Sequence, residues 1–465
     1  MKSVEKIFIP LHKLSPNRVV REVASVFESG AEVVEVRSHL PLRFYCFRNP
    51  EHLVRLYSHP SCGKTKPPHF LKWANHLMGD GLFNDLGTEK WDEKRKLMIK
   101  SFSQGQSSRY FRFMDEALDF ALARWKAREQ IDLFHETQLL VTDFSHRLLF
   151  GVGAGSALEE LNEASHWAES QFSNLLPLSI PTPSSLRFKG CKRYLRDYFL
   201  EKIAEQITGS QSSPDRDSMI SQLAHSGLSP DQFLDELFSV HFGVSALSVA
   251  LGWHLYLMGL HSDVQKSVSE VSNDEVLLSA LVGRVSDECM RFLPPFFCSL
   301  RYSVADIDLG DFKFGKGSTF MLLRFFAQRH PNYWNQPDVF DPSRFIGKPK
   351  SRLMPGVLMP FGFGPRTCLG AHLAGPVLKS AFARVVREFE VRIRATENWK
   401  ELVDFRYGLF PNQSIKLDLR RRPAHAIPLS AHSKSHDSSQ VIENPQSGAK
   451  ASGSIESARC PFSGL

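Results

Sequence analysis

From Leu237 to Ser262 the chain has no Asp, Glu, Lys or Arg. The stretch is long enough to cross a bilayer. It is the only one of its kind, however, and it contains Ser239, His241, Gly243, Ser245, Ser248, Gly252 and His254. The pattern therefore predicts a long central helix buried in a globular core. Upstream, Ser15 and Pro16 supply a cap and a first-turn residue for a helix that Gly30 ends, with Val20, Val23 and Val26/Phe27 as its apolar stripe. Two runs of β-formers follow, Glu32–Val36 and Leu42–Phe47, and then a helix over Glu51–Ser58. Residues 59–90 are irregular and rich in Pro and Gly, as binding loops often are. From Trp91 to Gln206 the patterning is mostly helical. A polar connector occupies Thr208–Ser218, and helices resume to residue 293. Residues 297–322 read as short strands with Gly turns, and about 330 to 370 as a loop region. A helix then runs to about 390, with strands over Glu390–Arg394 and Ile415–Arg420. The fold class this predicts is mainly α with small β-sheets.

Composition narrows the class. At 465 residues, 42% hydrophobic and 23% charged, the chain can bury a large core. A disordered chain, a collagen-like repeat and a small disulfide scaffold are excluded. The 36 Phe suit an apolar interior with large flat surfaces, or simply a Phe-rich core. The formal charge of +7, from 57 basic and 50 acidic residues, is mild. It allows an acidic protein partner or anionic groups on a ligand, and gives no reason to expect nucleic acid. The seven cysteines, Cys46, Cys62, Cys191, Cys289, Cys298, Cys368 and Cys460, are scattered and form no CxxC pair. A reducing, cytoplasmic setting is expected. Charges at Lys2, Glu5, Lys6 and Lys13 leave no signal-peptide core and no transmembrane anchor at the N-terminus. After about residue 422 the composition turns rich in Ser, Ala, Pro and Gly. One domain over 1–422 and a disordered or loosely attached tail over 423–465 are expected.

The chemistry is densest in Pro360-Phe-Gly-Phe-Gly-Pro-Arg-Thr-Cys-Leu-Gly-Ala-His-Leu-Ala374. Gly362, Gly364 and Gly370 permit tight turns and close backbone approach. Cys368 stands just before a helix, where the dipole and backbone N–H groups favour a thiolate, and Arg366 adds positive charge. Such a thiolate is a nucleophile or a metal ligand.

This loop resembles the haem-ligand motif FxxGxRxCxG of the cytochrome P450 family, matched at Phe361, Gly364, Arg366, Cys368 and Gly370. It is similar to the loops of soluble, class-E-like members. Further resemblances come in the family's order. Glu288-Cys-Met-Arg291, before Phe-Leu-Pro-Pro, looks like its ExxR helix, whose i and i+3 side chains share a face. Phe340-Asp-Pro-Ser-Arg344-Phe345 resembles its FxPxRF segment, which implies a buried Glu288–Arg291–Arg344 network. Trp91-Asp-Glu-Lys-Arg95 resembles the WxxxR helix, so that Trp91 and Arg95 would meet one haem propionate, and Arg301 stands where another propionate partner is common. The resemblance implies a helical haem-binding prism with a long central helix. It implies haem b (iron protoporphyrin IX) with Cys368 thiolate as axial ligand, and a metal site consisting of Cys368. It also implies dioxygen as co-substrate and NAD(P)H-derived electrons from an external ferredoxin or flavodoxin-type partner.

The central helix departs from the family. The usual AGx(D/E)T(T/S) falls on Phe242-Gly243-Val244-Ser245-Ala246-Leu247. Gly243 is kept, Ser245 replaces the acid and Ala246 replaces the alcohol that together help deliver protons. Ser245 either holds a water or bonds back to its own helix. His241 either feeds a proton chain or is a hydrogen-bonded core histidine. Residue 377 is Val where a Glu is common, and Pro376 falls in the first turns of that helix.

The expected activity is a haem-thiolate monooxygenase or oxidase that hydroxylates or couples a small hydrophobic substrate, as enzymes of secondary metabolism do. The alternatives are a peroxide-using or peroxide-isomerising haem enzyme, and a haem-based sensor or carrier. Pro67–Leu77, the stretch around Ala168–Leu176, Phe238–Ala246 and Phe296–Phe297 are expected to line the substrate pocket.

Overall fold

Ser15 accepts the backbone N–H of Arg18, so the first helix, α1 (Pro16–Glu28), starts at its predicted cap. It buries Val19, Val20, Val23 and Phe27. The computed structural model describes residues 4–423, apart from 40–42, 69–76, 88, 174–181, 208–216, 224–225, 348–352 and 395–397. The tail expected over 423–465 lies outside the described residues from 424 onward. So do parts of two segments expected to line a substrate pocket, 69–76 and 174–176.

β1 (Glu5–Phe8) pairs in parallel with β2 (Val33–Arg37), and β2 pairs antiparallel with β3 (Arg43–Phe47). β1 was not anticipated, because its four residues, EKIF, are too few to show a period. Helix α2 (Pro50–Ser58) follows, capped by Asn49. The remaining helices of nine or more residues among the described residues are α3 (Glu89–Ser101), α4 (Phe111–Trp125), α5 (Leu133–Phe150), α6 (Leu158–Ser170), α7 (Pro183–Ile207), α8 (Pro230–Val244), α9 (Ala246–Leu260), α10 (Ser262–Glu270), α11 (Glu275–Phe292) and α12 (Ala371–Glu388). Between α4 and α5 lies a short strand, β4 (Gln130–Asp132). Strands β5 (Ser299–Tyr302) and β6 (Thr319–Leu322) complete a sheet of order β1-β2-β3-β6-β5. A second sheet, β4-β10-β7, joins β4 to β7 (Phe389–Ile393) and β10 (Lys416–Arg421), and β8 (Val403–Phe405) pairs with β9 (Leu409–Pro411).

The long central helix is two helices meeting at Ser245. α8 ends at Val244 and α9 begins at Ala246, with Ser245 still in the right-handed helical region. The continuous segment Pro230–Leu260 is, among the described residues, the one helix long and apolar enough to cross a membrane, and 72% of its most apolar window is buried. Every residue from Leu247 to Met258 is buried, as an all-round apolar helix requires. α9 packs on α5, α11, α12 and β7. Trp253 Nε1 ties it to the Leu409 carbonyl at 2.6 Å, and Ser286 of α11 meets His254 Nε2 at 3.1 Å.

Candidate functional site

The loop before α12 is held from within. The Cys368 N–H donates to the Phe361 carbonyl at 2.9 Å, and the Thr367 N–H and hydroxyl donate to the Gly364 carbonyl at 2.9 and 2.7 Å. Gly362 and Gly364 have φ of 78° and 74°, the left-handed region. A Cβ on Gly364 would lie 2.4 Å from the Tyr57 carbonyl oxygen of α2. That glycine therefore serves close backbone-to-backbone packing of the loop on α2. Gly370 caps α12, and Pro376 sits inside that helix. Of the described cysteines only Cys368 is exposed. It lies deep in the protein yet keeps accessible surface, so its sulfur is both desolvated and reachable. Burial raises its pKa. The Gly370 N–H, Arg324 and Arg95 pull it back. The positive charge assigned to Arg366 at this thiol is thus supplied by Arg324 and Arg95 instead.

Arg366 turns away from the sulfur. It donates to the carbonyls of Lys64 and Asp85, and its guanidinium lies 4.6 Å over the Trp91 ring. Arg95 lies 5.4 Å from the same ring and donates to the Thr367 carbonyl at 2.8 Å. Trp91 is therefore a buried platform for cations. Arg301 on β5 is buried, with its guanidinium 4.9 Å from the Tyr57 ring; among the described residues its Nε has no hydrogen-bond partner. The Arg324 Nε is unpartnered in the same way. Burial, then Arg301, push Arg366 down to about 9, with Asp85 opposing. Burial, Arg366 and Arg301 push Lys66 well down. Like charges crowded around an unpaired guanidinium nitrogen are suited to bind an anionic group. With an accessible thiol nearby, the donor set fits a metalloporphyrin that carries carboxylates.

Behind this loop, Glu288 and Arg291 of α11 are fully buried and bonded in two places, at 2.7 and 2.8 Å. Arg344 Nε donates to Glu288 at 3.1 Å and the Asp341 N–H donates at 2.8 Å. Arg291 also donates to the carbonyls of Gln328, Pro337 and Val339. The Gln328 side chain accepts the Met359 N–H at 2.9 Å and donates to the Met290 and Arg291 carbonyls. Met359 is two residues before Phe361, so the network reaches the start of the cysteine loop. Gln328 had no motif to reveal it.

On the central helix, a Cβ added to exposed Gly243 would meet nothing within 4 Å. Ala246 is half-buried. Ser245 Oγ lies 2.8 Å from the Phe242 carbonyl, a bond back to its own helix as in the second of the two alternatives for it, and also 2.6 Å from Oε1 of Glu169 on α6. His241 is held at both ring nitrogens, by Ser145 at 3.0 Å and Ser165 at 2.8 Å, and burial pushes its pKa down to about 3. It is a neutral, hydrogen-bonded core histidine. Glu169 accepts the Tyr407 hydroxyl at 3.2 Å, and burial pushes its pKa up to about 7 against those two hydrogen bonds. Ser245, Glu169, His241, Ser145 and Ser165 border a cavity of about 30 Å³, also lined by Gln138, Asn162, His166 and Ser248. That is room for about two waters.

The family profile described as Cytochrome P450 matches residues 44–418. The chain is 25% identical over 350 residues to pentalenene oxygenase of Streptomyces avermitilis, covering 70% of this chain and 76% of that one. It is 25% identical over 382 residues to cyclooctat-9-en-7-ol 5-monooxygenase of Streptomyces melanosporofaciens, covering 77% and 82%. To cytochrome P450 4F5 of Rattus norvegicus it is 24% identical over 394 residues, covering 74% of each.

Proposed function

The chain belongs to the cytochrome P450 family, and from that membership we propose that it is a monooxygenase of a small alicyclic natural product, with Cys368 as the haem ligand. The observation that carries this reading is the reachable thiol of Cys368 beside a crowd of cations that includes the unpartnered Nε of Arg301. Haem held by a thiolate supplies dioxygen activation, because the sulfur donates electron density to the iron. The chain's own residues do the rest. The loop bonds of Cys368 and Thr367 fix the sulfur, and the Gln328 contacts fix the loop. Arg301, Arg95, Arg366 and Lys66 would bind the porphyrin carboxylates, with Trp91 as the base for Arg95 and Arg366 and the Tyr57 ring as that for Arg301. Phe238, Phe242, Val244 and Phe297 are buried apolar groups that exclude water beside a hydrophobic substrate. Gly243 presents no side chain, which leaves room for substrate along the helix. The substrate class is suggested by two similar bacterial proteins, named as oxygenases of pentalenene and of cyclooctat-9-en-7-ol.

Electrons from NAD(P)H through a ferredoxin or flavodoxin, and a cytoplasmic location, belong to the same reading. Ala246, which has no hydroxyl, favours a second one, in which a hydroperoxide replaces dioxygen and reductant. The test has two parts. The reduced protein with carbon monoxide is expected to show the red-shifted Soret band of thiolate ligation. Cys368→Ala abolishes it and Cys289→Ala keeps it; the reverse pattern refutes the assignment. Product formed with NAD(P)H, ferredoxin and its reductase supports the first reading, and product formed with hydroperoxide alone supports the second.

A further inference from the structure

We propose that the carboxyl of Glu169, brought from α6 onto Ser245, is the acid that the central helix lacks, and that Glu169 and Ser245 together carry protons to the distal side of that helix. The inference rests on the monooxygenase reading above. In this chain neither Ser245 nor Ala246 is an acid, and the Ala246 side chain has no exchangeable proton. Glu169 lies 76 residues earlier, yet its Oε1 is 2.6 Å from Ser245 Oγ, at the one residue where α8 gives way to α9.

The hydrogen bonds indicate which way the protons sit. Ser245 has a single hydroxyl hydrogen and two acceptors within reach, Glu169 Oε1 at 2.6 Å and the Phe242 carbonyl at 2.8 Å. With Glu169 protonated both contacts are satisfied: Glu169 donates to Ser245, and Ser245 donates to Phe242. With Glu169 ionised, Ser245 turns to the carboxylate. The two states differ by one proton and one hydroxyl rotation, which is what a relay requires. Burial raises the carboxyl pKa to about 7, so both states are populated near neutrality.

The surroundings suit a carrier. From α6 itself His166 faces the cavity, and burial followed by Arg406 and His135 pushes it down to about 4, so it is neutral. From α5 comes Gln138, bonded to His166 at 3.2 Å. From α8 comes neutral His241, and from the turn after β8 comes Tyr407, whose own pKa is raised well above its usual value. The cation on that turn, Arg406, pairs with Asp404 at 2.6 Å. No salt bridge to Glu169 occurs among the described residues. Water in the cavity, which has room for about two molecules, recharges the acid. In one transfer a proton leaves Glu169 for Ser245 Oγ, the hydroxyl proton of partly buried Ser245 passes to a water beside half-buried Ala246, and cavity water, itself resupplied from solvent, reprotonates Glu169. The protons are consumed in dioxygen reduction, whose electrons the external donor supplies.

The test uses the full-length holoprotein with Glu169→Gln, Glu169→Gln with Ser245→Asp, and Tyr407→Phe. Difference infrared spectra between about pH 5 and pH 9 are expected to show a protonated carboxyl band that bleaches near neutrality and is missing from Glu169→Gln. In Tyr407→Phe the carboxylate loses a donor, so the bleach moves to higher pH. Product formation in Glu169→Gln falls about 100-fold, with reducing equivalents released as hydrogen peroxide. Ser245→Asp, which returns an acid to the helix, recovers at least about 10-fold of that loss, while a purely structural role for Glu169 predicts no such rescue. A missing infrared carboxyl band in the unmodified protein, unchanged coupling in Glu169→Gln, or a loss that Ser245→Asp leaves untouched while the carbon monoxide band is intact each overturns the proposal. An unmodified protein that keeps the infrared titration but lacks the carbon monoxide band refutes the haem reading instead, because the infrared titration reads Glu169 with or without haem.

Discussion

Glu288→Gln removes the negative charge of the buried network with almost no change in volume. The unmodified carboxylate is completely buried and accepts from Arg291 Nε and Nη2, Arg344 Nε and the Asp341 N–H. After the change Arg291 is still buried, bonded to carbonyls and flanked by the Trp334 and Phe292 rings, with the part-exposed Asp341 as a remaining acidic neighbour and Arg329 as a like charge. Removing one partner of such a pair costs about 3–5 kcal/mol. Against a whole-domain stability of about 5–15 kcal/mol, that is about a fifth or more of what holds the fold. An unfolding entropy of about 2.1 cal/mol/K per residue over roughly 420 residues converts this to a melting temperature lower by about 3–6 °C. The loss is felt at the cysteine loop, because Arg291 and Gln328 together position Met359. Haem content per purified chain should therefore fall alongside stability. The assay is calorimetry of the holoprotein with haem quantified as pyridine haemochrome. Glu390→Gln, which breaks an exposed pair with Arg392, is the control and should shift melting by less than about 1 °C. If Glu288→Gln behaves like that control and keeps full haem, the reasoning is refuted.

Three further outcomes are expected. Arg301→Leu relieves the crowding of cations but removes an anion-binding group, so haem affinity should fall about tenfold by competition with apomyoglobin, while the haem-free protein melts no lower. The Glu169 carboxyl titrates at about 7 in the folded chain against 4.5 as its ordinary value, so the folded state binds the extra proton between those pH values and stability falls as pH rises through that window. Urea unfolding should accordingly find Glu169→Gln stabilised by about 3 kcal/mol relative to the unmodified protein above pH 7, with no such advantage below about pH 4.5. Gly364→Ala, whose Cβ would collide with the Tyr57 carbonyl at a φ of 74°, should lower haem content and shift the Soret band; an unchanged spectrum would contradict the packing role of that glycine.

The readable parts of this chain were those in which neighbouring residues carry the signal. Ser15 and Pro16 mark the start of α1, and the missing charges from Leu237 to Ser262 mark the central helix, because caps and burial act on adjacent positions. The glycines around Cys368 could be read for the same reason. β1 and β4 are too short to show a period and exist only through their partners, β2 and β10. Glu169, Lys66 and Arg324 carry no local mark. Each acts across tens to hundreds of residues, on Ser245, on Arg366 and at Cys368 respectively. Arg366 was placed beside the sulfur by its spacing in the sequence, but the turn at Gly364–Arg366 points it at Trp91 instead. The break at Ser245 was also hidden, because a hydroxyl on an apolar helix reads alike whether it bonds its own turn or a neighbour.

The cations stacked on Trp91 tie the chain's lifetime to its cofactor supply. Lys64, Arg95 and Arg366 share one indole, with Arg301 and Lys66 close enough to disfavour each other's charge. Whatever neutralises them binds the folded form alone, and its binding free energy adds to folding in proportion to the logarithm of its concentration. A cell short of porphyrin would hold this chain in its least stable form, open to proteolysis, and would stop accumulating it before an inactive pool could build up. Abundance would then follow haem biosynthesis without any dedicated regulator.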